Sequence, residues 1–156
     1  MSETKQFCTF YLGNLIFGIE VLQIQEVIRY QEMTSVPLAP AMVRGLINLR
    51  GQIVTAIDLR SRLAMEPLPE GRLPMNVVVR TEDGAVSLLV DEIGDVIEID
   101  GDHFEVPPET LHGVARELVD GVYKLKERLL LLLNTPKTVN FSNGPGTEGS
   151  ASAKAA

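Results

Sequence analysis

The sequence predicts a mainly β protein built as two small barrels. Three observations point there: short segments of alternating apolar and polar residues, turn residues between them at near-regular spacing, and a proline-rich break near mid-chain. Period and turn signals give roughly ten strands in two sets of about five. Such spacing favours small barrels or a sandwich over a parallel α/β sheet. The break at Leu63–Pro74 favours two barrels.

Lys5–Leu12 and Leu15–Glu20 alternate about Gly13-Asn14, a pair that suits a tight hairpin. In Val21–Tyr30, Val21, Ile24 and Ile28 are spaced as on a helical turn, while Leu22, Ile24 and Val27 fit a strand nearly as well. A short helix running into a strand is favoured. Val36–Pro40 holds two prolines and reads as a loop. Val43–Leu49 and Gln52–Leu59 are strands flanking Arg50-Gly51. A turn there needs a glycine but not an arginine.

Met75–Thr81 and Ala85–Ile93 flank Asp83-Gly84, a strong hairpin signal. Gly94–Asp100 alternates again. Val114–Val119 and Val122–Lys126 flank Asp120-Gly121, read as another hairpin turn. Leu129–Leu133 reads as a fully buried strand. Thr135-Pro136 resembles the cap and first-turn proline of a short helix reaching Phe141. Residues 142–156 hold no apolar side chain larger than alanine and are expected to be disordered. The chain is thus expected to form one domain over residues 1–141, with barrels at about 13–73 and 74–134. No convincing sequence repeat relates the halves.

Composition narrows function. The apolar fraction of 45% allows a core, which must be aliphatic because aromatics are 5% and tryptophan is absent. A net charge of −7 argues against nucleic acid and against adhesion to an anionic membrane. The only cysteine, Cys8, lies in an alternating stretch and reads as a buried apolar residue. The N-terminus is polar and no apolar run could cross a bilayer, so a cytoplasmic protein without membrane insertion is expected.

The residues supply no active site. Gly144–Gly149 matches G-x-G-x-x-G only formally, because no strand precedes it and no helix follows. His103 and His112 flank a polar loop with too few partners for a metal. No serine stands in a nucleophile elbow. The acidic residues mostly occupy turns and strand ends. No cofactor is expected, and a binding or scaffolding module is favoured over an enzyme.

"RGLINLRGQIVTAIDLR" (Arg44–Arg60) strongly resembles the signature of the CheW family of bacterial chemotaxis coupling proteins: a glycine, then Asn-Leu-Arg-Gly, then an apolar strand ending in Asp-Leu-Arg. "FGIEVLQIQEVI" (Phe17–Ile28), "LLVDEIGDVIEI" (Leu88–Ile99) and "RLLLLLNTPKTV" (Arg128–Val139) resemble further family segments in family order, so the likeness spans about Gln6 to Val139. It implies two five-stranded SH3-like β-barrels packed around a shared hydrophobic core, with short helices and with terminal elements able to cross between barrels. It implies a non-catalytic scaffold coupling the cytoplasmic tip of methyl-accepting chemoreceptors to the regulatory domain of a CheA-type histidine kinase. A chemosensory array with another output, such as surface motility or gene expression, would use the same chemistry. By resemblance, partner contacts fall to Arg50, Glu26, Ile24 and Gly45. The residues alone also allow structural readings: Ile24 as core, Gly45 as strand geometry, Glu26 and Arg50 as solvated charges. The basic Lys124–Arg128 suits either a charged strand edge or part of a kinase contact.

Overall fold

The computed structural model describes residues 4–82, 84–100, 105–109, 111 and 113–140. His103, His112, Asp83, the Gly144–Gly149 motif and the expected tail lie outside them.

The alternating segments form strands β1 (Thr4–Leu12), β2 (Leu15–Glu20), β3 (Ile24–Ile28), β4 (Val43–Leu49), β5 (Gln52–Asp58), β6 (Met75–Thr81), β7 (Gly84–Val90), β8 (Glu92–Asp100), β9 (Val119–Lys124) and β10 (Leu129–Leu133). Short helices α1 (Leu59–Arg62), α2 (Gly113–Leu118) and α3 (Thr135–Val139) follow β5, precede β9 and follow β10. A 3-10 turn at Val21–Gln23 leads into β3, which is the favoured helix-into-strand reading.

The strands make two five-stranded sheets, ordered β3-β6-β7-β5-β4 (barrel I) and β8-β1-β2-β10-β9 (barrel II). Each curls so that its edge strands share a small interior. In barrel I, Ile28 of β3 packs with Ile47 and Leu49 of β4. In barrel II, Ile97 and Ile99 of β8 pack with Tyr123 of β9. Between the barrels lies the main core, which includes Phe10, Phe17, Ile57, Val77, Leu88 and Leu131. Phe10 and Phe17 stack there with ring centroids 5.8 Å apart.

The expected division near Leu73 does not separate the barrels. It separates two structural repeats that exchange strands. The run β1 to β5 and α1 has the same order and pairing as β6 to β10 and α3: each opens with an antiparallel hairpin, and β7 pairs in parallel with β5 as β2 does with β10. Each barrel takes two strands from one repeat and three from the other.

The correspondence reaches single residues. Ile24-Gln25-Glu26-Val27-Ile28 and Ile93-Gly94-Asp95-Val96-Ile97 occupy matching registers with a matching irregularity. The bulge at Arg44, between Val43 and Gly45, matches the bulge at Asp120, between Val119 and Gly121. Isolated bridges Thr34–Leu46 and Glu105–Val122 also match. So do the helix caps. Asp58 accepts hydrogen bonds from the amides of Arg60 and Ser61, and Asn134 accepts one from that of Lys137.

Four expectations about these elements are corrected. Asp120-Gly121 lies inside β9 as a bulge, which uses glycine's freedom as a hairpin would; the β9–β10 turn is Leu125–Arg128, closed by the Leu125 amide donating to the Arg128 carbonyl at 2.9 Å. Residues 113–118 form α2 rather than a strand, because Val114 and Leu118 stand one helical turn apart and face the core. The cap of α3 is Asn134, one residue before the expected Thr135. Leu129 is also 38% exposed, so β10 is buried over its last four residues only. Cys8 is buried, and burial pushes its thiol up, as suits an inert core residue.

A buried ion pair fastens the repeats together. Arg60 of α1 donates Nε to Asp91 Oδ1 at 2.8 Å and Nη2 to Oδ2 at 2.5 Å. The amide of Gly13, in the β1–β2 turn, donates to the same Oδ2 at 2.7 Å. Burial works against an ionised Asp91, but these hydrogen bonds and the Arg60 charge outweigh it and hold the carboxyl below the usual carboxylate range. Asp91→Ala strands the Arg60 guanidinium, so a loss of about 3–5 kcal/mol is expected in denaturant unfolding. The sign with pH follows from the lowered folded-state pKa. The contribution is fully present above the unfolded carboxyl value of about 3.9 and is lost as pH falls through the lower folded value. Acid unfolding of the wild type should show this loss, and Asp91→Ala should show less of it.

Gly45 has a separate constraint. A Cβ there would stand 2.6 Å from the Thr34 carbonyl oxygen and 3.0 Å from Met33 Cβ. Thr34 and Leu46 exchange backbone hydrogen bonds of 2.8 Å in both directions, so the Met33–Thr34 strap has no room to yield. Gly45→Ala should cost about 1–3 kcal/mol by thermal melting, whether or not a partner is present.

Candidate functional site

Barrel I is held across its seam by polar side chains. Its edge strand β3 meets the β4–β5 hairpin at an ion pair between Glu26 and Arg50. Gln25 donates to Glu26 Oε2 at 3.3 Å and to Gln52 Oε1 at 3.4 Å, spanning the same seam. The hydrogen bond from Arg50, then that from Gln25, holds the Glu26 carboxyl below its ordinary value. Glu26 is therefore an anion at neutral pH with one face turned to Arg50.

The hairpin itself is strained. Arg50 has φ 52 and Gly51 φ 91, the left-handed pair that a two-residue type I′ turn requires. Glycine adopts this freely at Gly51. For a residue with a Cβ it costs roughly 1–2 kcal/mol. Asn48 offsets part of that cost by accepting the Gly51 amide on its side-chain oxygen at 2.8 Å. The turn places the guanidinium at the hairpin tip, where the Arg50 side chain is 71% exposed against 21% for Glu26.

The expected site residues divide accordingly. Glu26 and Arg50 are brought together at the surface. Ile24 is half-buried and packs against the main core. Gly45 is buried beneath the Met33–Thr34 strap. Sequence reasoning missed Gln25, Gln52 and Asn48. The first two carry no motif and gain meaning only when the barrel closes. Asn48 was legible as a residue three before the turn glycine whose side-chain amide suits turn stabilisation. Ile53 and Val27, on the same two strands, leave 60% and 36% of their surface exposed, so apolar area accompanies the charges.

The remaining surface shows little chemistry. Among the described residues, no group of three or more His, Cys, Asp or Glu side chains is arranged to hold a metal ion. No described helix is long and apolar enough to cross a membrane. Lys124 pairs with Glu105 at 3.5 Å, and the Arg128 guanidinium lies 5.7 Å from the Tyr11 ring centroid, so part of the basic segment is engaged within the fold.

Comparison with known proteins agrees with this architecture. Residues 6–142 match the family model of the CheW-like domain. The chemotaxis protein CheW of Treponema pallidum is 30% identical over 86% of this chain and 82% of its own length. That of Klebsiella aerogenes is 31% identical over 87% and 82%. The crystal structure of the scaffolding protein TtCheW from Thermoanaerobacter tengcongensis superposes with a TM-score of 0.75 at 26% identity, covering 85% of this chain and 86% of that one. The chain, with two strand-exchanged five-stranded barrels around one core, belongs to the CheW family.

Proposed function

We propose that this protein is a non-catalytic scaffold that couples the cytoplasmic tip of transmembrane chemoreceptors to the regulatory domain of a CheA-type histidine kinase, and so controls kinase activity. The family is one of non-catalytic adaptors. The observation that carries the reading is the Glu26–Arg50 pair, displayed on a strained hairpin tip beside exposed Ile53 and Val27. An ion pair this exposed adds little stability. A turn that only reverses the chain is better served by Asn or Gly in the Arg50 position. The strain at Arg50 is therefore better accounted for by recognition.

A helical-bundle tip presents apolar ridges with charged flanks, which suits a surface of exposed aliphatics rimmed by one acid and one arginine. On this reading the protein works in the cytoplasm and is recruited to receptor arrays at the inner face of the membrane. Co-sedimentation with receptor fragments and the cognate kinase tests it. The protein should enter the complex and change kinase autophosphorylation. Failure to do either with any co-encoded partner overturns the reading.

The hairpin strain gives a sharper test of Arg50. Arg50→Gly relieves the left-handed backbone, so stability should hold or rise by about 1 kcal/mol. Recruitment should nevertheless weaken by about tenfold or more, as for loss of an interface arginine. Arg50→Asp and Glu26→Lys should weaken it similarly with melting temperatures nearly unchanged. A large loss of stability in all three variants would instead make the pair structural.

A further inference from the structure

The two barrels differ where their matching caps meet the rest of the chain. In barrel I the chain leaves α1 and runs across the cap as Glu66–Arg72 before entering β6. Arg60 Nη1 fixes that segment by donating to the Glu66 carbonyl at 2.7 Å and the Pro67 carbonyl at 3.5 Å. A cavity of about 150 Å³ remains, lined by Arg44, Asp58, Arg60, Pro74 and Leu89 with Pro67–Glu70 alongside. The registers equate those five barrel residues with Asp120, Asn134, Pro136, Lys5 and Glu20 of barrel II. These five line a cavity of about 420 Å³ floored by Phe7, Leu132 and Leu133. Among the described residues no segment covers it as Pro67–Glu70 covers its counterpart.

The barrel II cavity is prepared for such a segment but not for one of its own. Pro136 stands where Arg60 grips the crossing chain, so the intramolecular clamp is missing. Asp120 accepts from the Asn134 side-chain amide at 2.9 Å, and Gln23 accepts from the Thr135 hydroxyl at 3.1 Å. Lys5 and Glu20 make no ion pair or side-chain hydrogen bond among the described residues. Lys5 is thus free to donate to a ligand carbonyl. Two carboxylates against one ammonium leave the rim acidic, which favours a basic ligand side chain. Proline fits the apolar floor and carries little ordering entropy into the complex.

We infer that the barrel II cavity binds an extended, proline- and leucine-containing segment of a partner protein that carries a basic residue, in the place that Pro67–Arg72 takes on barrel I. The probe is a synthetic peptide with the sequence of residues 66–74 in which both glutamates are replaced by glutamine, QPLPQGRLP, so that Arg72 leaves it basic, titrated into the isotope-labelled full chain. Saturable amide shifts should cluster at Lys5, Glu20, Gln23, Asp120 and Asn134. Glu20→Lys should weaken binding about fivefold, with a wild-type melting curve as the control for folding. Replacing the three peptide prolines by alanine should weaken it as well. No shifts at millimolar peptide, shifts confined to barrel I, or indifference to Glu20→Lys would overturn the inference. Two other occupants would also overturn it. The same resonances would then move on deletion of residues 142–156 (the chain's own C-terminal segment) or on dilution of the free protein (a second copy).

Discussion

Everything in this molecule depends on each barrel being completed by strands from the other half of the chain. Two strands of one repeat pair with three of the next, so neither half can satisfy its backbone or bury its apolar face alone. The main core confirms the interdependence, since it draws Phe10 and Phe17 from one end of the chain, Val77 and Leu88 from the middle and Leu131 from the other end. Where the exchange is tightest, at the β7–β8 crossover, Asp91 collects Arg60 from one barrel and the Gly13 amide from the other. A buried ion pair is costly to build, but it fixes the register at which the repeats meet.

That rigid frame explains how a short polar seam can act as a presentation device. Barrel I has edges at β3 and β4, and edges invite unwanted strand pairing. Here charged and amide side chains meet across the seam, while the Met33–Thr34 strap lies over β4 through a single bridge at Leu46. Gly45 serves that strap. Glu26 and Arg50 lie beyond it, on the solvent side. The four residues that family resemblance grouped together therefore do different physical work, and only Glu26 and Arg50 pair at the surface, where the proposed docking takes place.

Much of the fold was legible in the sequence because period and turn chemistry are local. Gly13-Asn14 and Arg50-Gly51 marked real hairpins, and Val21–Ile28 read correctly as a helical turn entering a strand. Asp120-Gly121 misled because a bulge and a hairpin ask for the same residues, and only pairing with Leu132 and Leu133 separates them. The repeat was hidden for a related reason. It preserves backbone registers while side chains diverge, as where Arg44 and Asp58 of barrel I take the positions that Asp120 and Asn134 hold in barrel II. Strand exchange was illegible because it is a choice of partner, and partner choice leaves no periodic trace. Within the site, the Asn-Leu-Arg-Gly turn was visible, but its ion pair with Glu26 joins residues that only the closed barrel makes neighbours.

Docking of partners is proposed for the seam of barrel I. Amide hydrogen exchange of the full chain, alone and mixed with a receptor fragment and the kinase regulatory domain, tests it most directly. With partners docked there, exchange should slow at β3, around Glu26–Ile28, and at the hairpin tip, around Leu49–Gln52. A complex that forms with both segments exchanging as in the free protein would contradict it.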